Sequence, residues 1–110
     1  MSALFVMIKK ITTKDKDYSR ILDLRNRVLR IPLGMDISND NLSDEGDCQF
    51  LAYFAKNGEM IGCIKIKKLD AETFQFQQMA VLQDYQRKGV GSALLEEAES
   101  MVKNLGCVEG

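Results

Sequence analysis

Histidine is absent from this chain of 110 residues, and its three cysteines, Cys48, Cys63 and Cys107, have no paired spacing. Common zinc sites draw on histidine and on closely spaced cysteine pairs, so a metal site is not expected. An odd number of unpaired cysteines also excludes a disulfide framework and makes a reducing cytoplasm the simplest location. Neither sign of charge is in excess: fifteen basic residues stand against sixteen acidic ones. That balance removes the overall electrostatic case for nucleic-acid binding and leaves any basic site local. Long hydrophobic runs are missing too. The N-terminal run Ala3-Leu4-Phe5-Val6-Met7-Ile8 is too short to span a membrane, and its lysines follow it where a signal peptide would have them first. There is no repeat, linker or low-complexity segment. With 45% hydrophobic and 28% charged residues, residues 1–110 read as a single soluble globular domain.

What is present is concentrated in residues 79 to 95, an apolar strand, a short polar turn and the opening of a long helix. The turn, Gln86-Arg87-Lys88-Gly89-Val90-Gly91-Ser92, holds two glycines one residue apart, which permit positive φ and let backbone N–H groups approach a ligand free of Cβ atoms. A helix N-terminus adds donors without intrahelical partners and a positive dipole end, so a phosphate or pyrophosphate fits there. Arg87 and Lys88 add charge. Spacing separates three phosphate-binding patterns. A dinucleotide fingerprint requires a third small residue where Leu94 stands, and a nucleotide P-loop requires Gly-Lys-Ser/Thr, which the chain lacks. The remaining pattern is Gln/Arg-x-x-Gly-x-Gly/Ala between strand and helix, matched by Gln86, Gly89 and Gly91. The bland alternative is a plain strand-turn-helix with a glycine-rich corner.

Taken in order, residues 4 to 11 read as a buried strand. Thr13 is positioned to cap a helix with Asp15 and Asp17 in its first turn. Apolar residues from Tyr18 to Leu29 recur at near-helical spacing, and Pro32, the one proline, should end that helix near Leu29 or Arg30. Residues 36 to 47 carry five acids and no base. Asn41 and Asp47 stand where a calcium loop needs Gly and Glu, so a solvated loop is expected, with attraction of a cationic amine as an extra. Runs at 50–55 and 60–66 flank Asn57-Gly58, a two-residue hairpin signal. Asp70-Ala71-Glu72 marks a second turn, and Thr73 to Leu82 a further strand with alternating Phe74-Gln75-Phe76-Gln77. From Val90, apolar residues at 90, 94, 98, 101 and 105, with 95 and 102 alongside, define the packed face of a helix whose wet face carries Glu96, Glu97, Glu99, Lys103 and Asn104, with Gly106 as its C-cap.

The Gln86-x-x-Gly89-x-Gly91 turn, with Met79-Ala80-Val81-Leu82 before it and Leu94-Leu95 after it, resembles the coenzyme A pyrophosphate loop of the GNAT acyltransferases. Arg25-Asn26-Arg27-Val28-Leu29-Arg30-Ile31-Pro32-Leu33-Gly34 is similar to a segment of one group of GNAT proteins that borders the acceptor side of the cleft. The resemblance covers essentially the whole chain. It implies an α+β fold, a mixed and mainly antiparallel sheet flanked by helices, here without the parallel fifth strand, the further helix and the two last strands of a complete member. It also implies acetyl-CoA as co-substrate and acetyl transfer to a primary amine of a small molecule or peptide. Backbone of Met79 and Val81 would contact the pantetheine arm and the acetyl carbonyl, and Gln86, Arg87, Lys88, Gly89, Val90, Gly91 and Ser92 would hold pyrophosphate. Arg25, Arg30 and Leu33 would help recognise the acceptor, unless the arginines are solvated or pair with the nearby acidic loop. Some members use a glutamate on the fourth strand as general base. Here Gln75, Gln77 and Gln78 are amides, Glu72 lies at the strand's start, Tyr85 is expected to pack, and no catalytic residue is assigned. The rival reading is a GNAT-like module that binds coenzyme A or a partner protein without turnover. An exposed edge at residues 74 to 82 predicts a homodimer.

Overall fold

Four strands form one antiparallel sheet in the computed structural model, which describes residues 7–37, 45–46 and 48–104. They are β1 (Met7–Ile11), β2 (Gln49–Phe54), β3 (Met60–Asp70) and β4 (Thr73–Val81), and they lie side by side in chain order. Helix α1 (Tyr18–Arg25) covers one face and α2 (Val90–Asn104) the other. Register assigns the faces. Phe50 pairs with Lys65 and Tyr53 with Gly62, and side chains alternate along a strand. Phe50 and Lys65 therefore share the α1 face, where the Tyr18 and Phe50 rings meet at 5.5 Å. Gly62, Ile64 and Ile66 share the α2 face. The periodic residues Val90, Leu94, Ala98 and Val102 bury the inner side of α2, and each large apolar side chain taken from water contributes about 1.5–3 kcal/mol. This is the mainly antiparallel, helix-flanked α+β arrangement expected from the sequence.

Local chemistry moves several boundaries. Helix α1 begins at Tyr18 rather than behind Thr13. The Asp15 carboxylate accepts from the Thr12 N–H at 2.9 Å, and Asp17 is drawn to Lys9 at 3.2 Å, so neither acid serves a first turn at Thr13. The helical path also does not stop at Arg30. After α1 it widens into a π-helical turn over Asn26–Arg30 and tightens into a 3-10 turn over Ile31–Leu33, ended by Gly34 at φ +75°. Pro32 stands in the first positions of that turn, where its missing N–H is not needed.

The hairpin between β2 and β3 is longer than the two-residue form. Gly58 N–H donates to the Ala55 carbonyl at 2.8 Å and only Gly58, at φ +89°, is left-handed, so a type I turn closes on a glycine bulge. Strand β3 runs on to Asp70, four residues past the expected end. The expected strand over residues 4–6, Cys107 and the Gly106 cap lie outside the described residues.

Candidate functional site

Strand β4 carries an irregularity at its centre. Cys63 pairs with Ala80 but Lys65 pairs with Gln77, so Gln78 and Met79 together oppose Ile64. Gln78 takes the left-handed conformation at φ 53°, which makes this a β-bulge. Beyond it, the Leu82 N–H donates to Ile61 of β3 at 2.9 Å. By alternation the backbone groups of Val81 and Met79 then point away from β3, to the edge that has no strand partner among the described residues. The Val81 carbonyl on that edge accepts from Gln86 Nε2 at 3.0 Å. That bond ties the start of the turn to the end of β4. Gln86, expected on pyrophosphate, thus braces the loop, and Val81 offers its N–H rather than its carbonyl.

Between β4 and α2 the chain makes a 3-10 turn over Gln83–Tyr85 and then a tight turn through Gly89. Arg87 at φ 68° and Gly89 at φ 86° are both left-handed. Left-handed residues interleaved with others direct successive N–H groups to one concave side, as anion nests do. The first bond of α2 is Ala93 N–H to the Gly89 carbonyl at 2.9 Å, so the N–H groups of Val90, Gly91 and Ser92 have no intrahelical acceptor. No acid lies in the first turn to compete for them, and Arg87, Lys88 and Ser92 are exposed around it.

Two glycines play different parts here. A Cβ on Gly89 would meet nothing within 4 Å, yet its left-handed φ calls for glycine. Gly91 is helical, and a Cβ there would reach only Met79 Sδ at 3.6 Å, an ordinary contact. The protein's own packing therefore does not require glycine at 91. An open, Cβ-free surface before a helix N-terminus has the form of an anion site.

The structure separates the three residues expected on the acceptor side. Arg25 is 1% exposed. Its Nη1 donates to Glu45 Oε1 at 3.0 Å, so it pairs with the acidic segment instead of facing a cleft. Arg30 reaches β4, its Nη2 donating to Gln78 Oε1 at 3.2 Å. Leu33 is 73% exposed, beside exposed Ile31 and Met35. Arg27, Val28 and Pro32 from this segment line a cleft of about 280 Å³ together with Leu82, Gln83 and Gln86. The two informative stretches of sequence therefore meet in space. A larger concavity of about 580 Å³ lies at Met7, Asp17, Arg20 and Phe54 and contains no residue of either stretch. Its carboxylate, Asp17, is already paired with Lys9 and Arg20.

Glu45 was not legible as special within its acidic run. It is 2% exposed and accepts from Tyr18 Oη at 2.5 Å, Arg25 Nη1 at 3.0 Å and Lys65 Nζ at 3.0 Å. Burial works against its charge, but the bonds from Arg25, Tyr18 and Lys65 together hold its carboxyl below the ordinary value. One signal existed: Lys65 interrupts the apolar run Ile64-Lys65-Ile66, and a lysine in a buried strand requires a counter-charge. Among the other candidates, Tyr85 packs against the core as expected. Glu72 sits in the β3–β4 turn, roughly 20 Å from Met79 at about 3.3 Å of strand rise per residue. No cluster able to hold a metal ion occurs among the described residues.

Comparison with known proteins bears on this arrangement. The model of the acetyltransferase (GNAT) family matches residues 16–110. Streptothricin acetyltransferase A of Bacillus subtilis (strain 168) is 39% identical over 69 residues, covering 63% of this chain and 38% of that protein. The match thus spans well under half of the curated relative. Among solved structures, a GNAT family acetyltransferase from Staphylococcus aureus Mu50 has a TM-score of 0.74 at 16% identity, covering 91% of this chain and 68% of the other. Escherichia coli YhbS, a GNAT family N-acetyltransferase in complex with CoA, has a TM-score of 0.73 at 19% identity, covering 97% of this chain and 61% of the other. These structures share the fold. Because the family match runs from before α1 through the glycine turn and along α2, the chain belongs to the GNAT acetyltransferase family.

Proposed function

We propose that residues 1–110 form the coenzyme A-binding part of an acetyl-CoA-dependent N-acetyltransferase whose acceptor is a primary amine of a small molecule or peptide. The observation that carries this reading is the open, glycine-lined N-terminus of α2 directly after a strand edge whose backbone donors have no strand partner among the described residues. In this reading the N–H groups of residues 87 to 92, with the Arg87 and Lys88 charges, hold the pyrophosphate. The Met79 and Val81 N–H groups lie along the edge where a pantetheine arm would run, and they would polarise the acetyl carbonyl. A neutral amine would attack that carbonyl carbon directly, the thiolate would leave, and the amine's proton would pass to a base. The strand supplies no such base. Gln75, Gln77 and Gln78 are amides, and a water relay is the route consistent with them. The name of the streptothricin acetyltransferase relative supports a small-molecule acceptor.

A second reading, a module that binds coenzyme A without turnover, is favoured by that same row of amides. A thiol-release assay with acetyl-CoA and a panel of amines separates the two. Homodimer formation through the β4 edge and a reducing cytoplasmic location belong to the proposal. The first is supported by the β4 edge, which has no strand partner among the described residues, the second by Cys48 and Cys63, which are thiols and not disulfides. No helix of the described residues is long and apolar enough to cross a membrane.

The direct test is calorimetry with coenzyme A. Gly91→Val leaves the protein's own contacts near ordinary distance, so it should weaken binding at least tenfold with little change in melting temperature. Glu97→Gln on the outer face of α2 should bind like the parent. Equal affinity in Gly91→Val and the parent would reject the loop as the pyrophosphate site.

A further inference from the structure

The bulge of β4 is met by a residue from the opposite stretch, Arg30. Gln is not a residue that favours left-handed backbone, yet Gln78 adopts φ 53° in the middle of a strand. Such a conformation persists where the surroundings over-determine it. The Gln78 side chain is engaged from the π-helical turn after α1: Arg30 Nη2 donates to Gln78 Oε1 at 3.2 Å, and the same guanidinium donates through Nη1 to the Leu29 carbonyl at 3.3 Å. Arg30 is itself positioned by an irregular piece of backbone. It ends the π-helical turn and stands before the 3-10 turn with φ −120° and ψ −55°, outside the helical region. Two local departures from regular structure, one on each side of the site, are thus joined by one guanidinium.

The position of the bulge gives this link its consequence. The extra residue sits at Gln78 and Met79, and pairing with β3 resumes at Ala80. Removing the extra residue would shift the strand by one and turn the edge-facing groups of Met79 toward β3, since alternate residues face opposite edges. We propose that Arg30 is a positioning residue: its bond to Gln78 keeps the β4 bulge in register, so that the Met79 backbone faces the strand edge. For the reaction this rests on the acetyl-CoA reading above, because there the Met79 N–H meets the acetyl group. The clamp itself is a property of the chain alone.

Glycine separates the clamp from any general effect of the arginine. Gln78→Gly permits the left-handed conformation without strain and removes the side-chain acceptor, so a bulge with glycine needs no clamp. The test compares Arg30→Met, Gln78→Gly and the double variant by hydrogen–deuterium exchange over residues 76–82, with no cofactor present. Arg30→Met should speed exchange in that segment at least fivefold in the parent and less than twofold in the Gln78→Gly background. Calorimetry should then show the preference for acetyl-CoA over coenzyme A reduced in Arg30→Met and retained in Gln78→Gly. Arg30→Lys, which keeps the charge but not the planar fork whose two nitrogens reach Leu29 and Gln78, should behave as Arg30→Met does. Equal exchange effects of Arg30→Met in both backgrounds, or no effect in either, overturns the clamp. A parent protein that binds neither cofactor form defeats the acetyl-CoA reading while the exchange comparison still decides the clamp.

Discussion

Glu45 shows how one side chain can fix the relation between a loop and a sheet. Its carboxylate joins Tyr18 and Arg25 of α1 to Lys65 of β3. Two buried cations thus share one buried anion. Glu45→Gln removes the anion that Arg25 and Lys65 share, and losing one partner of a buried ionic set costs about 3–5 kcal/mol. Tyr18→Phe removes one bond to a charged acceptor and should cost less, about 1.5–3 kcal/mol. The pH dependence follows from the sign of the Glu45 shift. Its folded carboxyl lies below the usual 4.5, so across the acid range the unfolded chain binds the extra proton. The stabilisation is therefore complete above the usual value and lost as pH falls through the folded value. Urea titrations should show the parent well above Glu45→Gln at pH 7 and the two converging as pH falls below 4.5. A constant gap at all pH values would mean that Glu45 contributes by packing alone. Among the thiols, burial pushes that of Cys63 up to about 12, so it stays protonated and unreactive at neutral pH. Incubation with acetyl-CoA should leave no acetyl-cysteine at Cys63 by mass spectrometry.

At the scale of elements, the docking of α2 on the sheet sets the position of the proposed anion site. A Cβ on Gly62 would lie 2.7 Å from Val90 Cγ1 and 3.2 Å from Leu94 Cδ1. Glycine at 62 thus lets the first turns of α2 lie close on β3. Gly62→Val should destabilise by about 1–3 kcal/mol through overpacking and weaken coenzyme A binding, because the displaced end of α2 carries the donors. Gly62→Ala combined with Val90→Ala should recover much of the loss of Gly62→Ala alone, as expected for residues in direct contact. Additive losses in the double variant would place the strain elsewhere.

The α2 face was readable in advance because burial at 90, 94, 98 and 102 follows the helical period, and the Gln86-Gly89-Gly91 turn because its chemistry is local. The start of α1 was misplaced because Asp15 and Asp17 have nearby rivals for a capping role. For Arg25 the sequence left the acceptor side and a pairing with the acidic loop both open, because it does not show that Glu45 folds over it. Gln78 gave no signal at all: a bulge depends on how one strand counts against its neighbour, and that count is settled across space.

For the molecule as a whole, the edge of β4 has two candidate occupants. Backbone groups of Met79 and Val81 face it, and an unpaired strand edge recruits another chain unless it is blunted. Self-association along β4 and the binding of a pantetheine arm at Met79 and Val81 would use the same donors. They should therefore compete, and a ligand that binds one form preferentially draws the equilibrium toward it. Sedimentation of the 110-residue chain at micromolar concentration should show a dimer that shifts toward monomer as coenzyme A is added. A monomer throughout, with a cooperative melt, would show that the glutamines Gln75, Gln77 and Gln78 blunt the edge sufficiently. A dimer indifferent to coenzyme A would place the self-contact away from Met79 and Val81. A shift that appears in the parent but is lost in Gly91→Val would tie both events to the same strand and turn, because that substitution acts on the ligand's site and meets the edge only at the Met79 side chain, at ordinary contact distance.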